Sequence, residues 1–391
     1  MATPLEIARR TTGTGASVVE DATATSTLRP INVLAQPPAD KLTPEEVDRR
    51  IGAARARLGE RVLILGHHYQ KDEVYRWADR TGDSYGLSVE ASKVKDAEFI
   101  VFCGVHFMAE TADILTGPRQ KVLLPDLKAG CSMADMATIE QVEDCWSELE
   151  EMAPGRRIIP ITYMNSTAEI KAFCGRRGGA ACTSSNAAAV FRWAFEQGDA
   201  VLFLPDQHLG RNTGHAMGIA LDAMPLWDPH VNGGGATTDA YAAAKIILWK
   251  GHCSVHQNFQ AQYVDLFRKK YPGINILVHP ECEFETVQKA DYVGSTAYII
   301  RTVNAAPAGS SWAIGTEYHS VARLAAAHPD KFITTLSPYT CNCATMFRID
   351  AADLMRSLEG LLDGKLIHWI RVPDAVAADA RLALERMLLC R

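Results

Sequence analysis

Three cysteines stand where side chains could do chemistry. Cys131 follows an apolar run and a glycine in KVLLPDLKAGCSMAD, Cys253 follows KIILW in KIILWKGHCSVH, and Cys343 follows KFITTL in KFITTLSPYTCNCATM. Each apolar run reads as a buried strand and each cysteine as part of the polar loop behind it. Open α/β sheets gather their ligands beyond the carboxyl ends of such strands. The pattern therefore predicts that Cys131, Cys253 and Cys343, remote in sequence, converge on one metal centre. A structural zinc site takes four ligands in close local pairs. The CxC of Cys341 and Cys343 offers one pair and the chain offers no second. Three remote thiolates suit an iron–sulfur cluster better. One iron then stays open as a Lewis acid that binds hydroxyl or carboxylate oxygens and helps to expel water. The competing reading is that buried free cysteines act as small hydrophobes. It is the natural one for Cys103, Cys145, Cys174, Cys182, Cys282 and Cys390, which lack the strand-end setting.

Polar loops behind other apolar runs carry further candidates. His67-His68-Tyr69 closes RVLILGHHYQ, Tyr163 and Asn165 close RIIPITYMNS, and His279-Pro280-Glu281 closes INILVHPEC. A single histidine after a strand is most often structural. Here His67, His256 and His279 recur at one topological position, beside Tyr69, Tyr163 and Glu281. Histidine and glutamate supply acid and base groups near neutral pH, and tyrosine donates to a developing oxyanion. Hydroxyls recur too, in Asp83-Ser84, Thr183-Ser184-Ser185 and Gly294-Ser295-Thr296. Any one of these is an ordinary helix cap. Three converging helix starts predict a seat for an anionic substrate. No Walker A loop or GxGxxG fingerprint is present, so neither ATP nor an NAD cofactor is indicated.

A regular alternation of strands and helices must position these residues. Strand-like runs occur in RVLILGHHYQ, AEFIVFCGVHFMAET, KVLLPDLKAGCS, RIIPITYMNS, GAACTSSNA, DAVLFLPDQHLG, KIILWKGHCSVH, INILVHPEC, DYVGSTAYI, SWAIGTEYH and KFITTLSPYTC. Helix-like segments such as 135–152, 187–197, 259–271 and 351–362 lie between them. Such alternation predicts parallel sheets covered by helices. The rhythm falls into three similar sets, each ending on a loop with one candidate cysteine. The expectation is an α/β protein of three αβα sandwich domains around a shared central site. The domains are read as 43–135, 136–257 and 258–349, with the C-terminal helices of 350–391 as a completion of the first. Residues 1–42, rich in Ala, Thr, Pro and Ser, read as a flexible tail. Thr43-Pro44-Glu45-Glu46 reads as a helix start. The Gly- and Pro-containing segment 217–238 reads as a surface insertion loop.

The balance of the chain excludes several classes. Its 391 residues exceed one ordinary core, and 47% hydrophobic with 22% charged residues is normal for a globular protein. A formal net charge of -6 implies no basic face, so nucleic acid is not expected as a partner. No apolar stretch approaches the ~20 residues of a membrane span. Arg9 and Arg10 are followed by Thr and Gly rather than an apolar core, so no secretory signal is read there. Ten cysteines without such a signal suit a reducing, cytoplasmic setting.

Taken in order, the motifs resemble the quinolinate synthase A family of bacterial de novo NAD biosynthesis. GHHYQ, GVHFMAE, LPDLKAGCSMAD, TYMNS, CTSSNA, LPDQHLG, WKGHCSVH, HPEC, GSTAYI, GTE and the CxxM at Cys343 carry it, from about Lys41 to the C-terminus. The resemblance implies three αβα domains with pseudo-threefold symmetry and a 4Fe-4S cluster held by Cys131, Cys253 and Cys343. Cys341 is excluded as a ligand, because the family cysteine opens CxxM. Some members carry CxxCxxC here; this chain has only CxC, and a redox disulfide like theirs is not expected. The implied reaction condenses iminoaspartate with dihydroxyacetone phosphate to give quinolinate, phosphate and water. The expected catalytic residues are Glu281, His279, Tyr69, Tyr163 and His256. Substrate contacts are expected from His67, Ser84, Tyr163, Asn165, Ser184, His279, Glu281, Ser295 and Thr296. Functional coupling to L-aspartate oxidase and loading by iron–sulfur assembly machinery follow from the same resemblance. Two other classes compete: an aconitase-like iron–sulfur dehydratase of another hydroxy acid, and a non-enzymatic redox sensor switched at Cys341 and Cys343. The sensor has no use for the histidines, tyrosines and glutamate at strand ends.

Overall fold

A computed structural model describes residues 42–390. The tail expected over 1–42 lies, apart from Leu42, outside them. The first described helix, Pro44–Leu58, begins where Thr43 Oγ1 accepts from the Glu46 N–H at 3.3 Å, with proline in its first turn. Val47, Ile51, Ala54 and Leu58 recur at helical spacing and form its buried face.

Three sheets follow in chain order. The first contains β1 (Val62–His67), β2 (Arg80–Gly82), β3 (Phe99–Cys103) and β4 (Lys121–Leu123). The second contains β5 (Ile158–Tyr163), β6 (Ala180–Cys182), β7 (Ala200–Leu204), β8 (Leu226–Trp227) and β9 (Ile246–Trp249). The third contains β10 (Asn275–Val278), β11 (Tyr292–Val293), β12 (Ser311–Gly315) and β13 (Phe332–Thr335). A last short strand, β14 (Trp369–Ile370), returns to pair antiparallel with β4. The other pairings are all parallel.

The strand orders are β4-β3-β1-β2, β9-β7-β5-β6 and β13-β12-β10-β11, with β14 and β8 added outside β4 and β9. Each is the same doubly wound order, in which the chain reverses direction across the sheet beside its first strand. That reversal leaves a crevice at the carboxyl end. The repeat seen faintly in sequence is thus a repeat of topology. β3, β5 and β7 are buried along their whole length, as strands covered by helices on both faces must be. Buried apolar side chains of the first two sheets form one continuous cluster, and the third sheet has its own on each face. Among the described residues no helix is long and apolar enough to cross a membrane.

Two features differ from the sequence reading. The segment 217–238 is not simply a surface loop, because it supplies β8 and buries Met224 and Trp227. Gly233, Gly234 and Gly235 all have positive φ there, and a Cβ on Gly234 would meet the Trp227 ring at 2.4 Å. The glycines therefore fold the segment back onto the sheet rather than loosen it. The C-terminal segment serves two sheets. Helix Ala351–Leu362 packs on Pro44–Leu58, with an Arg50–Glu359 ion pair, while helix Asp374–Leu389 packs on helix Ala168–Arg176 and β6.

The second of these contacts has no room to spare. A Cβ on Gly175 would lie 1.9 Å from the Asp379 carbonyl oxygen. Gly175→Ala is expected to push the C-terminal helix away and to destabilise the fold by ~1–3 kcal/mol. A urea midpoint equal to that of the unchanged chain would contradict this packing.

Candidate active site

Most candidate side chains come from the same strand in all three units; His256 does not share the position of His67 and His279 that its sequence setting suggested, because it lies three residues after Cys253, beyond β9. First strands deliver His67 and Tyr69 at the end of β1, Tyr163 and Asn165 at the end of β5, and His279 and Glu281 beyond β10. Second strands deliver Ser84, Ser184 and Thr296 beyond β2, β6 and β11. Fourth strands in space deliver Cys131, Cys253 and Cys343 beyond β4, β9 and β13. All of these line one cleft. Ser295 alone among the expected residues is not on its wall. Its hydroxyl caps helix Thr296–Ala305, accepting from Tyr298 N–H at 3.3 Å.

The three cysteine loops share one local structure. The carbonyls of Cys131, Cys253 and Cys343 accept from the N–H four residues on, at 3.2, 3.1 and 2.9 Å. A 3-10 turn occupies Ala134–Met136, His256–Asn258 and Met346–Arg348, and a helix starts eight residues after each cysteine, at Ile139, Ala261 and Ala351. The turn aims backbone N–H groups at sulfur, from Ala134 and Met133 to Cys131 and from His256 to Cys253. Cys343 Sγ lies 3.4 Å from Thr345 Oγ1. Burial pushes the Cys131 thiol up to about 12, and those N–H groups act against it. Burial also pushes Cys253 well up, with the Glu281 charge adding to it. Such thiols are neutral when free and lose their proton to a metal. Cys341 differs: its Sγ is directed to the Tyr339 carbonyl at 3.6 Å, and it is not part of the cleft wall.

Glu281 is the electrostatic centre. Its Oε2 lies 2.8 Å from His256 Nδ1 and 3.1 Å from His279 Nδ1, and the two imidazoles stack with centroids 4.5 Å apart. The His256 approach is close but bent, an electrostatic contact rather than an aligned hydrogen bond. Burial opposes the charged carboxylate, but the two imidazoles outweigh it and hold Glu281 below the usual carboxylate range. Its Oε1 has no partner within the protein. Burial lowers His279, and lowers His67 far more, so both are neutral at pH 7. It also raises Tyr69 and Tyr163 well above the usual phenol range, which keeps both protonated. Ligand atoms of Cys253, His256 and Glu281 lie within 4.8 Å of one another, a spacing that could also hold a metal ion.

Hydroxyl groups extend this network across the sheets. His279 Nε2 lies 3.2 Å from Ser184 Oγ, and Tyr69 Oη lies 2.8 Å from Thr296 Oγ1 and 2.9 Å from Thr316 Oγ1. Thr316 Oγ1 in turn lies 3.4 Å from His256 Nε2. Ser185 Oγ donates to Asp83 Oδ2 at 3.3 Å and lies 2.9 Å from Ser295 Oγ, which ties together the starts of three helices. These helices are Ser84–Lys93, Ala187–Gln197 and Thr296–Ala305.

The sequence pattern did not single out Thr316 or Asp206, and it pointed to Asp83 and Ser185 only as neighbours of Ser84 and Ser184. Thr316 and Asp206 stand at third-strand ends, in GTE and LPDQH, one position away from the pattern that exposed the other candidates. Asp206 caps helix Gln207–Ala216, with one carboxyl oxygen fully buried and unpartnered. On the same helix, Asn212 Nδ2 donates at 2.8 Å to the carbonyls of Pro280 and Cys282, on either side of Glu281.

A family model described as Quinolinate synthetase A protein matches residues 49–389. The quinolinate synthase of Herpetosiphon aurantiacus is 56% identical over 350 residues, covering 89% of this chain and 93% of the relative. That of a Nocardioides species is 58% identical over 346 residues, covering 87% and 88%. That of Streptomyces coelicolor is 54% identical over 356 residues, covering 90% of each. With the family model spanning every strand that feeds the cleft, and relatives 54–58% identical over about nine-tenths of the chain, the chain belongs to the quinolinate synthase A family.

Proposed function

We propose that the protein condenses iminoaspartate with dihydroxyacetone phosphate to give quinolinate, releasing phosphate and water, as a step of de novo NAD biosynthesis. The observation that carries this reading is the meeting of three cysteine loops with the Glu281, His256 and His279 cluster in one cleft. The donor set suits a 4Fe-4S cluster: three thiols in matching turns, with backbone N–H groups directed at two of the sulfurs. Cys131, Cys253 and Cys343 would hold it, one from each unit. When bound, such a cluster with three protein ligands supplies an open iron that acts as a Lewis acid toward substrate oxygen.

The protein's own groups account for the rest. Ser84, Ser184 and Thr296 present hydroxyls at or near helix starts, where phosphate and carboxylate groups are favoured by N–H donors and the helix dipole. Glu281 is ionised and has a free oxygen, so it takes a proton from the substrate, while His256 and His279 stabilise its charge. Tyr69 and Tyr163, protonated at neutral pH, donate to oxygen that becomes negative during dehydration. His67, neutral, and Asn165, whose buried Oδ1 is unpartnered, orient the substrate by hydrogen bonds. Supply of iminoaspartate by L-aspartate oxidase belongs to the same proposal.

Oxygen-free protein given iminoaspartate and dihydroxyacetone phosphate is expected to form quinolinate, measured chromatographically. Absence of quinolinate from iron-loaded protein would contradict the reaction. Glu281→Gln is expected to lower turnover by about 100-fold or more without loss of iron. Near-normal turnover in that variant would contradict the role given to Glu281.

A further inference from the structure

Each unit starts a helix after its second strand. In two of them the polar residue at that start caps its own helix: Asp83 accepts from Gly86 N–H at 2.8 Å, and Ser295 from Tyr298 N–H at 3.3 Å. Asn186 is the corresponding residue before helix Ala187–Gln197, and it does not cap that helix. Its buried side chain makes four other hydrogen bonds. Oδ1 accepts from the N–H and the hydroxyl of Thr183 at 2.8 and 3.1 Å. Nδ2 donates to the carbonyls of Met387 and Cys390, both at 3.1 Å. Two acceptances and two donations are the full capacity of an amide. The reverse orientation would set NH2 against the Thr183 N–H and oxygen against two carbonyls, so the network fixes which end is which.

The two ends of the amide hold different parts of the fold. Thr183 opens the loop that leads from β6 to the helix. Its hydroxyl also accepts from Ser185 N–H at 3.3 Å, and its carbonyl accepts from Asn186 N–H at 3.1 Å. The loop is thereby closed on itself, with Ser184 on the cleft wall. Met387 and Cys390 lie at the end of helix Asp374–Leu389, where carbonyls lack donors within the helix. The same helix reaches the other end of β6, where Arg386 donates to the Gly179 carbonyl. A three-residue edge strand is thus bracketed by one helix, ahead of it through Arg386 and behind it through Asn186. We propose that Asn186 is a positioning residue through which the end of the C-terminal helix holds the Thr183–Asn186 loop, so that the Ser184 hydroxyl meets an anionic group of the substrate. This rests on the functional reading above, which gives Ser184 its substrate contact.

The test uses iron-loaded, oxygen-free protein with quinolinate as the probe ligand. Asn186→Asp keeps the shape and the acceptor and removes both donors to the C-terminal helix. It is expected to weaken quinolinate binding about 10-fold by calorimetry and to lower kcat/KM by a similar factor, with kcat within about threefold. In a Ser184→Ala background the same change is expected to add less than about twofold, because its effect runs through that hydroxyl. Losses that multiply, or a fall in kcat with unchanged binding, would mark a merely structural residue and overturn the proposal. A second variant, lacking residues 389–391, removes the Cys390 carbonyl and leaves the loop sequence intact. Backbone hydrogen exchange over residues 183–187, followed by mass spectrometry, is expected to quicken about 10-fold in Asn186→Asp and about threefold or more in the shortened chain. Unchanged exchange in the shortened chain would overturn the link to the C-terminal helix, and that variant decides the question by itself should Asn186→Asp not fold. If the unaltered protein neither bound nor formed quinolinate, the functional reading would fall, while hydrogen exchange would still decide whether the helix holds the loop.

Discussion

A carboxylate buried as deeply as Glu281 stays charged only where donors reach it. Removing such an ion from water costs several kcal/mol unless partners compensate. Here the partners are His279, two residues away on the same loop, and His256, which follows β9 in another unit. The charge of Glu281 is therefore a property of the docking between the second and third sheets. Asn212 strengthens that dependence, because a helix of the second sheet holds the carbonyls on both sides of Glu281. Loosening the two units would remove His256 and the backbone clamp together.

Parallel strands impose the second constraint. All strands of a parallel sheet end on one edge, so chemistry-bearing loops collect there. Three sheets with the same strand order therefore bring three copies of each kind of loop to one cleft. The copies have specialised by position. First-strand ends carry histidine, tyrosine, asparagine and glutamate side chains, second-strand ends carry hydroxyls at or near helix starts, and the fourth strand of each order is followed by the cysteine. This division explains how residues hundreds of positions apart can act as one site without any local sequence signature.

That division also explains what could be read from the sequence. Cys131, Cys253 and Cys343 were legible because each interrupts an apolar run with a polar turn. The helix Ala187–Gln197 and the helix Ala351–Leu362 were legible from periodicity, with the bounds found in the structure. β2, β8 and β14 were not; two or three residues at a sheet edge show no period, and the equally short β6 and β11 were read only as parts of the longer runs GAACTSSNA and DYVGSTAYI. Thr316 was hidden because a threonine beside a strand reads equally as strand or as cap. Ser295 shows the reverse: its setting matched that of Ser84 and Ser184, but sequence does not tell whether a hydroxyl turns into the cleft or back onto its own helix. Trp227 pulls the 217–238 segment inward, and only the positive φ of Gly233 to Gly235, invisible in composition, makes that possible.

The central claim is that the three equivalent cysteines act together on one iron–sulfur centre. Iron, acid-labile sulfide and zinc should be quantified on protein purified without oxygen, together with its visible and electron paramagnetic resonance spectra. The same analysis applies to Cys131, Cys253, Cys343 and Cys341 changed singly to serine. The account predicts equal iron and sulfide with a cluster spectrum, lost in each of the first three variants and retained in Cys341→Ser. Zinc in place of iron, or an intact cluster after any of those three changes, would contradict it.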